Sequence, residues 1–195
     1  MIVIGITGGI ASGKSTIARM MAQRGITHVD ADVLVHGLMK TPSVISEIAQ
    51  IFPSAIKNGA VDRSALGAIV AKDKAALIAL EMVLHPAVRE AELAALKQSV
   101  RQNRRAVILD IPLLFESGAE ALCDIVISAA APLDMRRKRA FLRKGMTGEK
   151  FDRLVARQLD EVTRNLLADV VIPTTLGKAF TRRRVELLLR ELGLR

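Results

Sequence analysis

One eight-residue run, Gly8-Gly9-Ile10-Ala11-Ser12-Gly13-Lys14-Ser15, constrains this chain more than any other feature. It fits the pattern G-x-x-x-x-G-K-[ST] and lies between an apolar, β-branched stretch at 2–7 and a helical spacing from Lys14 to Gln23. Glycines at such a turn admit backbone angles that aim several N–H groups at one anion, and the helix that follows adds its positive N-terminal end. A lysine at this place reaches the β- and γ-phosphates of a nucleotide, and the Ser15 hydroxyl can ligate Mg²⁺. The run therefore predicts both a strand–turn–helix unit of a parallel sheet and a phosphate cradle.

The rest of the chain supplies the strands that such a sheet needs. A second short strand is predicted at 26–31 (I-T-H-V-D-A), completing a βαβ unit, and further buried strands at 106–111, 124–129 and 169–173. The pattern from Asp32 to Arg104 is almost wholly helical, with breaks expected at Thr41-Pro42, Pro53, Asn58-Gly59 and His85-Pro86. That is too much helix for one crossover and predicts an inserted helical subdomain. Pro132 is expected to open a basic helix, 147–167 to be helical, and Lys178–Leu192 to form a closing helix. The expected fold is α/β, one three-layer α/β/α domain over 1–195 with a five-stranded parallel sheet. Its core would be 1–31, 105–135 and 168–195, with a helical subdomain at 32–104 and a basic region at 136–167.

Composition narrows the partners without choosing among them. With 29 basic and 20 acidic residues the formal charge is +9, which favours anionic partners. Five Phe with no Trp or Tyr require an aliphatic core and leave few faces for stacking single-stranded bases. Cys123 is the only cysteine, so no intrachain disulfide forms, and a reducing compartment fits. The N-terminus reads as no secretory signal, and no apolar run approaches the roughly 20 residues of a membrane span. Composition leaves nucleic acid, a membrane surface and phosphorylated small molecules open. With the segments below, the expectation is a soluble cytoplasmic protein, monomer or small homo-oligomer, with small-molecule substrates and neither nucleic acid nor membrane as partner.

The cradle alone gives nucleotide binding; other segments give it an acceptor side. Asp30 and Asp32, at i and i+2 in V-D-A-D-V, are expected to share one face at the carboxyl end of the second strand. A carboxylate there can take the proton of an attacking hydroxyl or hold it in line with the γ-phosphate; for Asp32 the competing use is to cap the next helix. Asp110, ending the third strand, is a second candidate for the metal shell. Arg136, Arg139 and Arg143, three and four residues apart, are expected on one helical face, with Gly145 and Gly148 as hinges of a basic lid. The competing use of that run is a solvated face or an RNA patch. His28, His36 and His85 show no metal-ligand spacing, and His28 reads as a packed strand residue.

Taken in order, G-I-T-G-G-I-A-S-G-K-S-T (5–16), H-V-D-A-D-V (28–33), G-A-V-D-R-S-A-L (59–66), L-H-P (84–86), L-D-I-P-L-L-F-E (109–116), R-K-R-A-F-L-R (137–143) and R-Q (157–158) resemble the dephospho-CoA kinase family over nearly the whole chain. The resemblance implies transfer of the ATP γ-phosphoryl group to the ribose 3′-hydroxyl of dephospho-CoA, with Mg²⁺, as the last step of coenzyme A biosynthesis. It implies a P-loop kinase-like fold whose subdomain 32–104, with Asp32 and His85, binds the acceptor and whose region 136–167 is the lid. It assigns ATP to Ala11, Ser12, Gly13, Lys14, Ser15 and Thr16, beside Gly8 of the cradle pattern. Catalysis falls to Lys14, Asp32, Arg139 and Arg143. Two departures stand out. Ala11 occupies a position where the family usually has glycine, a replacement without cost only if that residue keeps φ below zero. Pro173-Thr174-Thr175 replaces an Asn-rich segment, so no adenine contacts are assigned there. Another small P-loop kinase, or a basic RNA-binding ATPase, would account for the cradle but not for P-L-L-F-E and D-A-D together.

Overall fold

The computed structural model describes residues 1–194. Along the chain, β1 (Ile2–Gly8) leads through the glycine turn into α1 (Lys14–Ala22), followed by β2 (Thr27–Asp30). Next come α2 (Ala31–Leu38), α3 (Pro42–Ile51), a short hairpin of β3 (Ile56–Lys57) and β4 (Ala60–Val61), α4 (Arg63–Val70) and α5 (Lys74–Arg101). The remainder is β5 (Ala106–Asp110), β6 (Ile125–Ala130), α6 (Leu133–Phe141), α7 (Gly148–Ala156), α8 (Glu161–Leu167), β7 (Val170–Pro173) and α9 (Lys178–Glu191). Two compact units result, Met1–Asp30 with Ser99–Arg195, and Ala31–Gln98.

The first unit is built on a five-stranded sheet of order β2-β5-β1-β6-β7, with every neighbouring pair parallel. The strands read as near-continuous apolar runs because helices cover a parallel sheet. Ile4, Ile6, Ile108, Ile127 and Ile172 are fully buried against Ile17 and Met21 of α1 and Val185, Leu188 and Leu189 of α9. That core is aliphatic, as the composition requires. Two aspartates just ahead of strands fix where neighbours start: Asp124 Oδ2 accepts from the Val3 N–H and Asp169 Oδ2 from the Val126 N–H, each at 2.7 Å. The resulting register aligns Asp30 with Asp110 and Asp110 with Ile6, which brings the carboxyl ends of β2, β5 and β1 together.

The second unit has a core of its own, in which Val44, Ile48, Phe52, Ala55, Leu66, Leu80 and Leu84 are buried. Thr41-Pro42 marks the start of α3 as expected, with Pro42 at its first position. Asn58-Gly59 is the tip of the β3–β4 hairpin, which the helical reading of this region missed. Asp62 caps α4 by accepting from the Ser64 and Ala65 N–H groups, each at 3.0 Å.

Four expectations need correction. The second strand ends at Asp30, and Asp32 lies in the first turn of α2, so the alternation that placed both aspartates on one strand face does not apply. His85-Pro86 is no break, since α5 runs through Pro86 for 28 residues. A proline inside a helix costs about 3 kcal/mol, and burial of Leu80 and Leu84 in the second core outweighs that local penalty. Residues 147–167 form two helices rather than one, because Asp160 accepts from the Thr163 N–H at 2.9 Å and starts α8 afresh. Finally, α6 ends at Phe141, so the helical-face argument reaches Arg136 and Arg139 but not Arg143.

Candidate active site

The glycine-rich turn sits at the carboxyl end of the central strand β1. Gly13 has φ 102°, and a Cβ there would meet Thr174 at 3.0 Å, so both conformation and space demand glycine. No side chain caps α1 at Gly13, which leaves the first N–H groups of that helix directed into the turn. Ser15 is exposed and Thr16 half-buried at the start of α1, while Gly8 and Ser12 are buried beneath the loop. Ala11 has φ 59°, so the condition for a cost-free replacement of glycine is not met. An L-residue in this region costs roughly 1–2 kcal/mol.

Lys14 forms an ion pair with Asp110, whose carboxylate is 1% exposed. Asp110 Oδ2 also lies 3.2 Å from His28 Nε2. His28, Asp30 and Asp110 bring potential ligand atoms to within 4.8 Å of one another. The grouping follows from register: His28 and Asp30 share a face of β2, and Asp30 is aligned with Asp110. His28, read from sequence as a packing residue, was missed. The strand alternation that put it beside Asp30 was visible, but the pairing of β2 with β5 was not. The carboxylate oxygens of Asp30 and Asp110 are ligands of the type that a hard divalent cation takes.

Four consecutive cradle residues are each held by the segment that follows β6. The Arg136 guanidinium lies against Gly9, where any Cβ would overlap it. The Ile10 N–H donates to Gln158 Oε1 at 2.8 Å. Ala11 packs in a small buried cluster with Ala140 and Phe151, flanked by Ile10, Met146 and Val155. The Ser12 carbonyl accepts from Arg139 Nη1 at 3.4 Å. Arg137 stacks over Phe141 and Phe151 at 5.6 and 5.5 Å and binds α6 to α7 from outside.

Arg136 is buried, and so is Arg164 of α8. Burial pushes the Arg136 guanidinium below its ordinary pKa, with Glu161 opposing. Burial does the same to Arg164, reinforced by the charge of Arg136 and opposed by Glu161, Glu116 and Asp160. Two desolvated cations close to the cradle raise the positive potential where phosphates would lie. Arg143 is exposed in the turn after α6. Asp32 and His85 belong to the second unit, both exposed, in the first turn of α2 and the middle of α5.

A parallel sheet of this order, with a lysine-bearing cradle ending its central strand and an arginine-bearing helix against the loop, defines a P-loop kinase. The same fold occurs in the shikimate kinase from Acinetobacter baumannii (14% identity, TM-score 0.58, covering 98% of this chain and 93% of that one). Residues 2–177 match the family described as dephospho-CoA kinase, and the chain belongs to that family. It is 39% identical to the dephospho-CoA kinase of Agrobacterium fabrum strain C58 over 99% of both chains. It is 28% identical to a solved dephospho-CoA kinase from Campylobacter jejuni, with TM-score 0.74, covering 97% of this chain and 96% of that one. The family catalyses the final step of coenzyme A biosynthesis, ATP-dependent phosphorylation of dephospho-CoA. Among the described residues no helix is long and apolar enough to cross a membrane.

Proposed function

We propose that this chain transfers the γ-phosphoryl group of ATP to the ribose 3′-hydroxyl of dephospho-CoA. The observation that carries the reading is the cradle, with Lys14 poised on Asp110, in a chain that matches the dephospho-CoA kinase family over residues 2–177. The N–H groups at the start of α1 and the Lys14 ammonium hold the β- and γ-phosphates. Ser15 and Asp110 are the residues that would hold Mg²⁺, which when bound neutralises phosphate charge. Asp32 accepts the proton of the 3′-hydroxyl as its oxygen bonds to the γ-phosphorus and the bond to the ADP oxygen breaks. Arg139 and Arg143 stabilise charge on the transferring group, and His85 contributes to holding the acceptor.

The cytoplasm is the proposed location, consistent with a lone cysteine. Neither nucleic acid nor membrane enters the proposal, and monomer or small homo-oligomer both accommodate it. An ADP-coupled assay across dephospho-CoA, nucleosides, nucleoside monophosphates and shikimate tests the reading. Turnover is expected with dephospho-CoA, and its absence sinks the assignment. In the same assay Asp32→Asn is expected to cut kcat by at least about 10²-fold with little change in ATP affinity.

A further inference from the structure

The loop after β7 contains one residue that joins the sheet edge, the cradle and α6. The Thr174 N–H donates to the Ala130 carbonyl at 3.0 Å and so extends the β6–β7 ladder by one residue. Its side chain turns toward the cradle, where Oγ1 donates to the Ser12 carbonyl and lies 3.3 Å from the Ala130 carbonyl. The same oxygen accepts from Arg139 Nη1 at 3.0 Å, and the Thr174 carbonyl accepts from Arg139 Nη2 at 2.8 Å. A hydroxyl has one proton and two lone pairs, and here the proton serves the cradle while a lone pair serves the arginine. The two Nη atoms of Arg139 are thus gripped by the side chain and the backbone of a single residue.

We propose that Thr174 is a positioning residue for phosphoryl transfer, its hydroxyl locking the Arg139 guanidinium to the Ser12-Gly13 turn of the cradle. This inference rests on the ATP reading of that cradle. The backbone bonds of Thr174 survive any substitution, so the sheet edge and half of the arginine's grip are independent of the side chain. The hydroxyl bridges arginine and cradle through one atom and reinforces the longer direct bond from Arg139 Nη1 to the Ser12 carbonyl. Without it, Arg139 loses a charged hydrogen bond and the Ser12 carbonyl keeps only the longer bond from Arg139 Nη1 at 3.4 Å. Arg139 and the phosphate-binding turn are then joined by that one long bond alone, so their relative placement loosens although each remains in place on average. Thr174→Val removes only the hydroxyl and keeps the branched shape that packs on Gly13. Thr174→Ser restores the hydroxyl on a slimmer side chain.

The experiment measures kcat/KM for ATP with dephospho-CoA as acceptor, and binding of a fluorescent ATP analogue without acceptor. The variants are Thr174→Val, Thr174→Ser, Arg139→Ala and the double variant Thr174→Val/Arg139→Ala, each checked for folding by its melting curve. Thr174→Val is expected to lose about 10- to 100-fold in kcat/KM, the range for a charged hydrogen bond. Thr174→Ser should recover to within about threefold, and Thr174→Val should cost little further in the Arg139→Ala background, because coupled residues are not additive. Wild-type kinetics in Thr174→Val, or a loss fully additive with Arg139→Ala, overturns the proposal. Should the wild type fail to phosphorylate dephospho-CoA, the substrate assignment falls on its own. Analogue binding then decides Thr174: an affinity about tenfold weaker in Thr174→Val but not in Thr174→Ser supports it, and equal affinities reject it.

Discussion

Ala11 shows how one methyl group can be expensive and still be retained. Its left-handed backbone costs roughly 1–2 kcal/mol relative to glycine. Against that, the methyl is buried with Ala140 and Phe151, worth about 0.8 kcal/mol. Glycine would in addition lose about 0.5–1 kcal/mol of chain entropy on folding. These magnitudes nearly cancel, so Ala11→Gly is expected to leave stability within about 1 kcal/mol of wild type in denaturant unfolding. Ala11→Val behaves differently, because a β-branched side chain in this region is a true outlier. A loss of at least about 2 kcal/mol is expected there; an undiminished unfolding midpoint would show that the backbone at position 11 is not held left-handed.

At the scale of elements, α6 proves to be a buttress at its base rather than a flap. Through Arg136, Gln158, Ala140 with Phe151, and Arg139, the segment after β6 grips cradle residues 9 to 12 in turn. The part left exposed is the turn beyond α6, where Leu142 is 88% exposed and carries Arg143 next to it. On the proposed reading, closure over phosphates would fall to that turn, which contains Gly145 at φ 75°. Arg143→Ala is expected to slow phosphoryl transfer about 10³-fold while the melting temperature stays put, as befits an exposed side chain. Unchanged turnover would return Arg143 to the solvated surface.

The strands of the main sheet were readable because apolar β-branched runs bounded by glycines and acids have few alternatives. The end of β2 was misread by a residue or two, and that slip alone converted Asp32 from a strand residue to a helical one. Pro86 was read as a stop because local propensity says so, whereas burial of Leu80 and Leu84 carries α5 past it. The cradle was legible residue by residue, since its chemistry is local in sequence. Its supports were not: Gln158 and Thr174 reach it across 148 and 162 residues, and nothing in their own neighbourhoods announces where they arrive.

For the molecule as a whole, the excess of basic residues and the two buried arginines suit a protein whose proposed substrates are both polyanions. General attraction does not by itself discriminate among anions, but the pairing of Lys14 with Asp110 does. A phosphate that draws the lysine away strands a carboxylate that is 1% exposed, with His28 beside it. Breaking a buried pair on one side costs about 3–5 kcal/mol, or two to four orders of magnitude in affinity. On the proposed reading with Mg²⁺, occupation of the cradle would exchange one cation for another, and an anion that brings none would be at a disadvantage. Inorganic pyrophosphate titrated with and without Mg²⁺ is expected to bind at least about tenfold more weakly alone, and Asp110→Asn should narrow that gap. If the proposed Mg²⁺ accompanies the phosphates, the resting ion pair would work as a turnstile, admitting phosphate chains in company with a metal and holding back the bare ones.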